Sequence, residues 1–258
     1  MDERAQIGPV ELRVADLERS RSFYGGPIGL EQVGDDPLAL GAGGRPLVVL
    51  REVEPGTPAP PSTTGLFHLA ILHPSREELA RALRRLVDRG ARLDGASDHA
   101  VSEALYLHDP DWNGIELYRD RPREEWPEGD GGGVAMVTLP LDVHALLEQA
   151  VSANGQPAHP DTVMGHVHLR VSDLERSVAF YREELGMNVR ARYGDQAAFL
   201  AAGDYHHHVG LNTWHSVGGG PPPPGSAGLE RFTVSSPDEE ARSLRDPDGI
   251  ELALRPSQ

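Results

Sequence analysis

The sequence contains two nearly identical stretches, GPVELRVADLERSRSFY at residues 8–24 and GHVHLRVSDLERSVAFY at residues 165–181. In each copy, alternating apolar residues predict a strand, and the Asp-Leu-Glu-Arg-Ser that follows predicts the start of an amphipathic helix. Asp16 and Asp173 stand at the expected N-cap, where a short carboxylate can accept hydrogen bonds from the first helical turn. The repeat therefore indicates a strand–helix unit that occurs at least twice.

A second kind of segment follows each copy, GLFHLAI from Gly65 and GLERFTV from Gly228. The first continues through a helical pattern into EALYLHDPDWNGIELY, which is typical of two short strands around a turn. We therefore predict an α+β fold of four βαβββ modules, the last of which is too short for its helix and one strand. The modules are placed at residues 8–54, 65–120, 163–215 and 227–256.

Linkers are predicted where proline and glycine accumulate, in EPGTPAPPSTT after module one and in GGGPPPPGSAG after module three. A longer segment separates the two halves of the chain. We expect an N-terminal domain at residues 1–125 with modules one and two, a linker at 126–162, and a C-terminal domain at 163–258 with modules three and four.

Composition excludes several classes of protein. The 258 residues contain no cysteine, so a metal must be held by imidazole and carboxylate, and 12 histidines leave room for that. The formal charge of -16 opposes binding to nucleic acid. An apolar run of membrane-spanning length is lacking, and the first residues, MDERAQIG, are charged where a signal peptide would be apolar. We expect a cytoplasmic protein.

Modules that open with HVHLRVSDLERSVAFY and close with DPDWNGIEL or DPDGIEL resemble the vicinal oxygen chelate superfamily, which includes glyoxalase I, bleomycin-resistance proteins and type I extradiol dioxygenases. YHHHVGLNTW and GASDHAVSEALYLHDPDWNGIELYRDRPREEW are most similar to the bacterial catechol 2,3-dioxygenase-like branch. The resemblance implies that two modules face each other as a half-open barrel around a divalent metal. It also implies that the ligands come from the first and last strands, and that extradiol enzymes use two histidines and one glutamate.

Carried onto this sequence, the resemblance places the first-strand ligand positions of modules one to four at Pro9, His68, His166 and Arg231. Proline has no ligand atom in its side chain, and arginine stays protonated, so modules one and four have lost this ligand. The last-strand positions hold Glu116 in module two and Glu251 in module four, while module three offers the run His206, His207 and His208.

The pairing of modules decides which ligands meet. Pairing in chain order would give His68 with Glu116, and His166 with Glu251, each set one histidine short. If module two faces module three instead, His68, Glu116 and His166 complete a set that leaves open positions for substrate and oxygen, as non-haem Fe(II) oxygenases require. Our hypothesis is that the copy of the repeat with Pro9 belongs to a pair of modules that binds no metal. Glu251 and His206 are kept as alternative ligands.

The resemblance also implies a histidine beside the metal as the acid–base group, and a substrate-contacting tyrosine four residues before the proline of the Asp-Pro turn. His208 and Tyr106 match these positions, and His99 is predicted as a further hydrogen-bonding residue. An imidazole, with an ordinary pKa near ~6.5, can accept a proton from a catechol at neutral pH and return it during ring cleavage.

The leading hypothesis is an extradiol dioxygenase that uses Fe(II), or Mn(II), to open a small aromatic diol with O2. Neither nucleic acid nor a membrane is expected as a partner, and a homo-oligomer is allowed. Two alternatives stay open. One is a glyoxalase-like metal-dependent lyase or isomerase, and the other is a non-enzymatic protein that binds a drug or small molecule, as bleomycin-resistance proteins do.

Overall fold

A computed structural model describes residues 1–129, 133–150 and 156–257. The helices are α1 Leu17–Gly25, α2 Arg76–Asp88, α3 Val143–Glu148 and α4 Leu174–Leu185, with a 3₁₀ turn at Arg123–Glu125. The strands are β1 Gln6–Val14, β2 Glu31–Asp35, β3 Leu38–Ala42, β4 Arg45–Glu52, β5 Thr57–Pro58, β6 Gly65–Leu72, β7 Gly95–Asp98, β8 Ser102–His108, β9 Gly114–Asp120, β10 Leu139–Pro140, β11 Val163–Arg170, β12 Asn188–Tyr193, β13 Ala197–Ala201, β14 Val209–Asn212, β15 Ser226–Ser236, β16 Arg242–Arg245 and β17 Glu251–Pro256. Among the described residues, none of the helices has the length and apolar character that a membrane crossing requires.

The repeated sequence forms a strand followed by a helix in both copies, as predicted. Asp16 caps α1 by accepting a hydrogen bond from the Arg19 backbone N–H at 2.9 Å, and Asp173 caps α4 through Arg176 at 3.0 Å. α4 ends at Gly186, whose φ of 61° is a conformation that residues with a Cβ rarely adopt. Helix start and stop signals in the sequence therefore act as local rules predict.

The strands form two curled sheets. One runs β16-β17-β15-β1-β4-β3-β2 and combines modules one and four, while the other runs β10-β7-β8-β9-β6-β11-β14-β13-β12 and combines modules two and three. At the centre of the second sheet, β6 pairs directly and antiparallel with β11. Module two therefore adjoins module three, which is the arrangement that brings the predicted ligands together.

The predicted α+β fold of βαβββ modules is confirmed, including the shortened fourth module. The described residues of that module form β15, β16 and β17 and contain no helix. Both sheets take strands from both halves of the chain. The division into domains at residues 1–125 and 163–258 stays a prediction, because strand pairing alone does not define where a domain ends.

A second set of contacts ties the modules together in chain order. The hydroxyl of Tyr24, at the end of the first repeat, donates to Asp109 in the Asp-Pro turn of module two at 3.0 Å. Its counterpart Tyr181 donates to Asp246 in module four at 3.3 Å. Each aspartate also accepts backbone N–H groups of its own turn, so its buried oxygens are satisfied. The repeated tyrosine is therefore structural.

One hydrophobic core runs through all four modules. Leu12 of module one, Leu69 of module two, Leu169 of module three and Phe232 of module four are all fully buried in it. Burying each such side chain stabilises the fold by about 1.5–3 kcal/mol. The two sheets are thereby held as one packed unit.

Close packing beside the second sheet's centre gives a test of this fold. A Cβ added at Gly165 in β11 would lie 1.8 Å from the hydroxyl oxygen of the fully buried Tyr118. We expect Gly165→Ala to lower the free energy of unfolding by about 1–3 kcal/mol through overpacking. Gly95→Ala is the control, because a Cβ there meets no atom within 4 Å. A denaturant midpoint of Gly165→Ala equal to that of wild type would contradict the packing described.

Candidate metal centre and cavity

Three adjacent strands carry the predicted ligands. β6 carries His68 and lies between β9, which carries Glu116, and β11, which carries His166. The register places both Glu116 and His166 opposite Ala70. Because residues two apart on a strand point to the same face, His68 shares that face with Ala70. Strand order and register therefore bring the three side chains to one point.

The ligand atoms of this cluster lie very close together. Nε2 of His68 is 3.0 Å from Oε2 of Glu116, Nε2 of His166 is 3.2 Å from the same oxygen, and the two nitrogens are 3.3 Å apart. Ligands about 2.1 Å from one ion and at right angles to each other would be separated by about 3 Å. The three residues thus fit one face of the coordination shell of a single divalent metal, and they form a group of potential ligand atoms within 4.8 Å of one another.

Burial sets the protonation states that such a site needs. Desolvation lowers the pKa of His166 to about 4, so its imidazole is neutral and its lone pair is available at pH 7. Burial alone would raise the pKa of Glu116, but the facing histidines outweigh it and hold this pKa well below its usual range. The cluster therefore combines a carboxylate with a neutral imidazole ligand.

Small residues make room for the histidine rings. A Cβ on Gly114, which pairs with His68, would lie 2.1 Å from the backbone oxygen of Phe67. A Cβ on Gly210, which pairs with His168, would lie 2.8 Å from the His168 ring. The glycines in DPDWNGIEL and VGLNTW are thus required by the close approach of the strands beside the cluster.

The cluster opens into a cavity of about 1140 Å³ that all three ligand residues line. Phe67, Phe199 and Trp214 form an aromatic wall on one side of it. The Phe67 and Trp214 ring centroids are 5.1 Å apart in an edge-to-face arrangement. An aromatic molecule entering this cavity would therefore meet ring surfaces beside the cluster.

Tyr106 and His99 also line the cavity and are joined to each other. Nε2 of His99 is 2.8 Å from the Tyr106 hydroxyl, and its Nδ1 is 2.6 Å from the backbone oxygen of Val137. Because a carbonyl only accepts, His99 donates a hydrogen bond from Nδ1. Its Nε2 then accepts a hydrogen bond from the Tyr106 hydroxyl. Burial, with Glu116 nearby, raises the pKa of Tyr106 well above its ordinary value, so it stays a phenol at neutral pH.

The histidine run forms a bend before β14, and only His207 lines the cavity. Its ring centroid is 4.1 Å from that of His166. His208 lies outside the cavity lining, and its Nδ1 accepts the backbone N–H of Ala202 at 3.3 Å. Nε2 of His206 faces Asp120 at 2.9 Å. Within the run, His207 and not His208 therefore faces the cavity, because these residues form a bend and not a regular strand.

Glu251, an alternative ligand by sequence, lies elsewhere. It accepts from Arg245 at 2.8 Å in the sheet of modules one and four. The sequence analysis did not place His168 in the site, yet it lines the cavity with its ring centroid 5.0 Å from that of His68. Its spacing of two residues from His166 was the available signal.

Comparison with known proteins places the chain in a family. A family model described as the Glyoxalase/Bleomycin resistance protein/Dioxygenase superfamily matches residues 6–117 and 163–246. The chain belongs to this superfamily, and the membership predicted from its sequence is confirmed.

Individual relatives agree with this assignment. Catechol-2,3-dioxygenase of Bacillus subtilis (strain 168) is 43% identical over 247 residues, which cover 94% of this chain and 86% of that protein. A candidate dioxygenase structure from Bacillus subtilis subsp. subtilis str. 168 matches with a TM-score of 0.64 at 15% identity, covering 100% of this chain and 87% of the other. Glyoxalase I from Zea mays matches with a TM-score of 0.57 at 18% identity, covering 98% and 92%. The two structures share the fold.

The cluster predicts a specific metal-binding phenotype. After anaerobic loading with Fe(II) and desalting, we expect about one ion per wild-type chain and almost none in His68→Ala, since the variant loses one of three protein ligands. His108→Ala is the control, because His108 is on the neighbouring β8 and its Nδ1 pairs with Asp94. Metal content by elemental analysis decides the matter. Full retention of metal in His68→Ala would contradict the site.

Proposed function

We propose that this protein is a metal-dependent extradiol dioxygenase that opens a catecholic ring with O2. The observation that carries the proposal is the convergence of His68, Glu116 and His166 on one point at an aromatic-walled cavity. The 43% identity to a catechol-2,3-dioxygenase supports an enzyme of this kind. The cytoplasmic location and a homo-oligomer remain predictions from the sequence.

Fe(II) is the metal we propose first, and Mn(II) second. Two imidazoles and one carboxylate on one face, with the other positions open, are the donor set of non-haem Fe(II) oxygenases. When bound, the metal supplies Lewis-acid activation of the catechol oxygens and a position for O2 beside them. The absence of cysteine from the sequence agrees with a site built from nitrogen and oxygen donors alone.

His207 is the residue we propose as the acid–base group, in place of His208. It lines the cavity against His166, and burial lowers its pKa well below the ordinary value, so its ring is neutral before substrate arrives. A neutral imidazole can accept the proton that a catechol hydroxyl releases and can later return it. His208, which lies outside the cavity lining, has no such access.

Tyr106 and His99 orient the substrate on the opposite side of the cluster. The Tyr106 hydroxyl donates its hydrogen bond to His99, so its oxygen can still accept a hydrogen bond from a substrate hydroxyl. The register places Tyr106 directly opposite Glu116 on the neighbouring strand. A catechol held at the cluster would therefore contact Tyr106 on one side and His207 on the other.

The substrate is proposed to be an aromatic diol with room for substituents. The cavity volume of about 1140 Å³ is large enough for a drug-sized molecule. Phe67, Phe199 and Trp214 offer ring surfaces that pack against an aromatic substrate in edge-to-face or offset geometry. A catechol that carries an apolar side chain would use more of this wall than catechol itself.

Oxygen consumption tests the proposal. With the Fe(II)-loaded protein, we expect uptake of O2 together with formation of a coloured ring-opened product from at least one of catechol and its 3- and 4-substituted derivatives. In His207→Ala, kcat should fall by about 10²–10⁴-fold, the usual contribution of a general acid–base group. His215→Ala is the matched control, because His215 is exposed on the surface.

Two other outcomes would contradict the proposal. Conversion of a hemithioacetal without O2 uptake would favour the glyoxalase-like lyase or isomerase. Tight binding of aromatic compounds by the metal-free protein, with no turnover in any assay, would favour a small-molecule binding protein.

A further inference from the structure

A row of hydrogen-bonded polar side chains lies behind the cavity wall, on the far side of His207. Nδ1 of His207 is 2.7 Å from Nδ1 of His206, and Nε2 of His206 is 2.9 Å from Oδ1 of Asp120. His206 and His207 are 1% and 4% exposed, so water cannot replace these contacts. Asp120, at the end of β9, is partly open to solvent, with 24% of its side chain exposed.

The Asp120 end of this row determines which atoms donate and which accept along it. An ionised Asp120 can only accept, so Nε2 of His206 carries a proton and donates it. With its ring proton on Nε2, His206 has a lone pair on Nδ1, so His207 is the donor in the contact between the two Nδ1 atoms. Nε2 of the neutral His207 is consequently unprotonated, and it is the ring nitrogen left for substrate.

Neighbouring rings hold His206 in this orientation. The Tyr205 ring centroid is 4.1 Å from that of His206, and the Trp126 ring is 5.3 Å from it. The indole N–H of Trp126 donates to the backbone oxygen of Arg121 at 2.8 Å, which fixes the tryptophan itself. Rotation of the His206 ring would therefore disturb a packed aromatic cluster.

Asp120 is fixed from a second direction. Its Oδ2 accepts the Tyr205 hydroxyl at 2.9 Å, and the Tyr118 hydroxyl is 2.8 Å from that of Tyr205. Because the Tyr205 hydroxyl already donates its hydrogen bond to Asp120, Tyr118 is the donor in the contact between the two hydroxyls. Both oxygens of the carboxylate are thus engaged, one by a tyrosine and one by a histidine.

We propose that Asp120 and His206 are positioning residues that hold His207 in the tautomer with a free Nε2. The substrate side of this inference rests on the proposed dioxygenase function, whereas the tautomer does not. The sequence analysis kept His206 as an alternative metal ligand. Its hydrogen bonds to His207 and Asp120 instead support a role in orienting His207. The arrangement orients a base through a carboxylate, as a catalytic triad does, with one imidazole inserted between them.

Nitrogen-15 NMR of histidine-labelled full-length protein tests the tautomer directly. Spectra are recorded with Zn(II) added, because this ion is diamagnetic and does not broaden the signals. The tautomers can be assigned whether or not Zn(II) binds. In wild type we expect His207 to be protonated on Nδ1 and His206 on Nε2. Asp120→Leu removes both acceptor oxygens, and we expect mixed tautomers at both rings. Asp204→Leu is the matched control, because the Asp204 side chain is 79% exposed.

A second variant keeps the inference testable if Asp120→Leu folds poorly. His206→Phe retains a ring between Trp126 and Tyr205 but removes the acceptor for His207, and we again expect mixed tautomers at His207. Protonation of Nε2 of His207 in wild type, or an unchanged His207 tautomer in the folded variants, would overturn the proposal.

Kinetics separate this inference from the proposed function. With an active catechol, Asp120→Leu should lower kcat by about 10- to 100-fold, as loss of an orienting outer residue commonly does, with KM unchanged. A raised KM with unchanged kcat would overturn the positioning role. If wild type turns over no catechol, the dioxygenase proposal fails, while the NMR result still decides the tautomer.

Discussion

The antiparallel pairing of β6 with β11 is the constraint on which the rest of the structure depends. It joins module two to module three and sets the register that places His166 opposite Ala70, two residues from His68. A shift of one residue would turn every side chain of one strand to the opposite face. The site therefore requires this one register, and close packing of Gly165 against Tyr118 helps to define it.

The duplicated sequence has been used in two different ways. In modules one and four the first strands pair with each other, and Glu11 and Arg231 form an ion pair there. The corresponding strands of modules two and three carry His68 and His166. Pro9 and Arg231 leave that pair without a candidate first-strand ligand, but the pair still contributes to the common core. The two repeated tyrosines, Tyr24 and Tyr181, serve the fold equally in both halves.

Much of the fold and the central cluster could be predicted from the sequence. Asp16 and Asp173 mark helix starts by local chemistry, and the repeat register aligns His68, Glu116 and His166 with ligand positions. What could not be predicted depends on long-range packing. The histidine run itself does not show that His207 and not His208 turns to the cavity, and the aromatic wall joins Phe67 of module two to Phe199 and Trp214 of module three.

The central claim is that one metal ion is held by His68, Glu116 and His166. Anomalous diffraction from crystals grown with Mn(II), recorded on both sides of the manganese absorption edge, tests it most directly. We predict one peak per chain, within coordination distance of Nε2 of each histidine and of a carboxylate oxygen of Glu116. A peak beside Glu251 or at the His206 ring, with none at the cluster, would contradict the account.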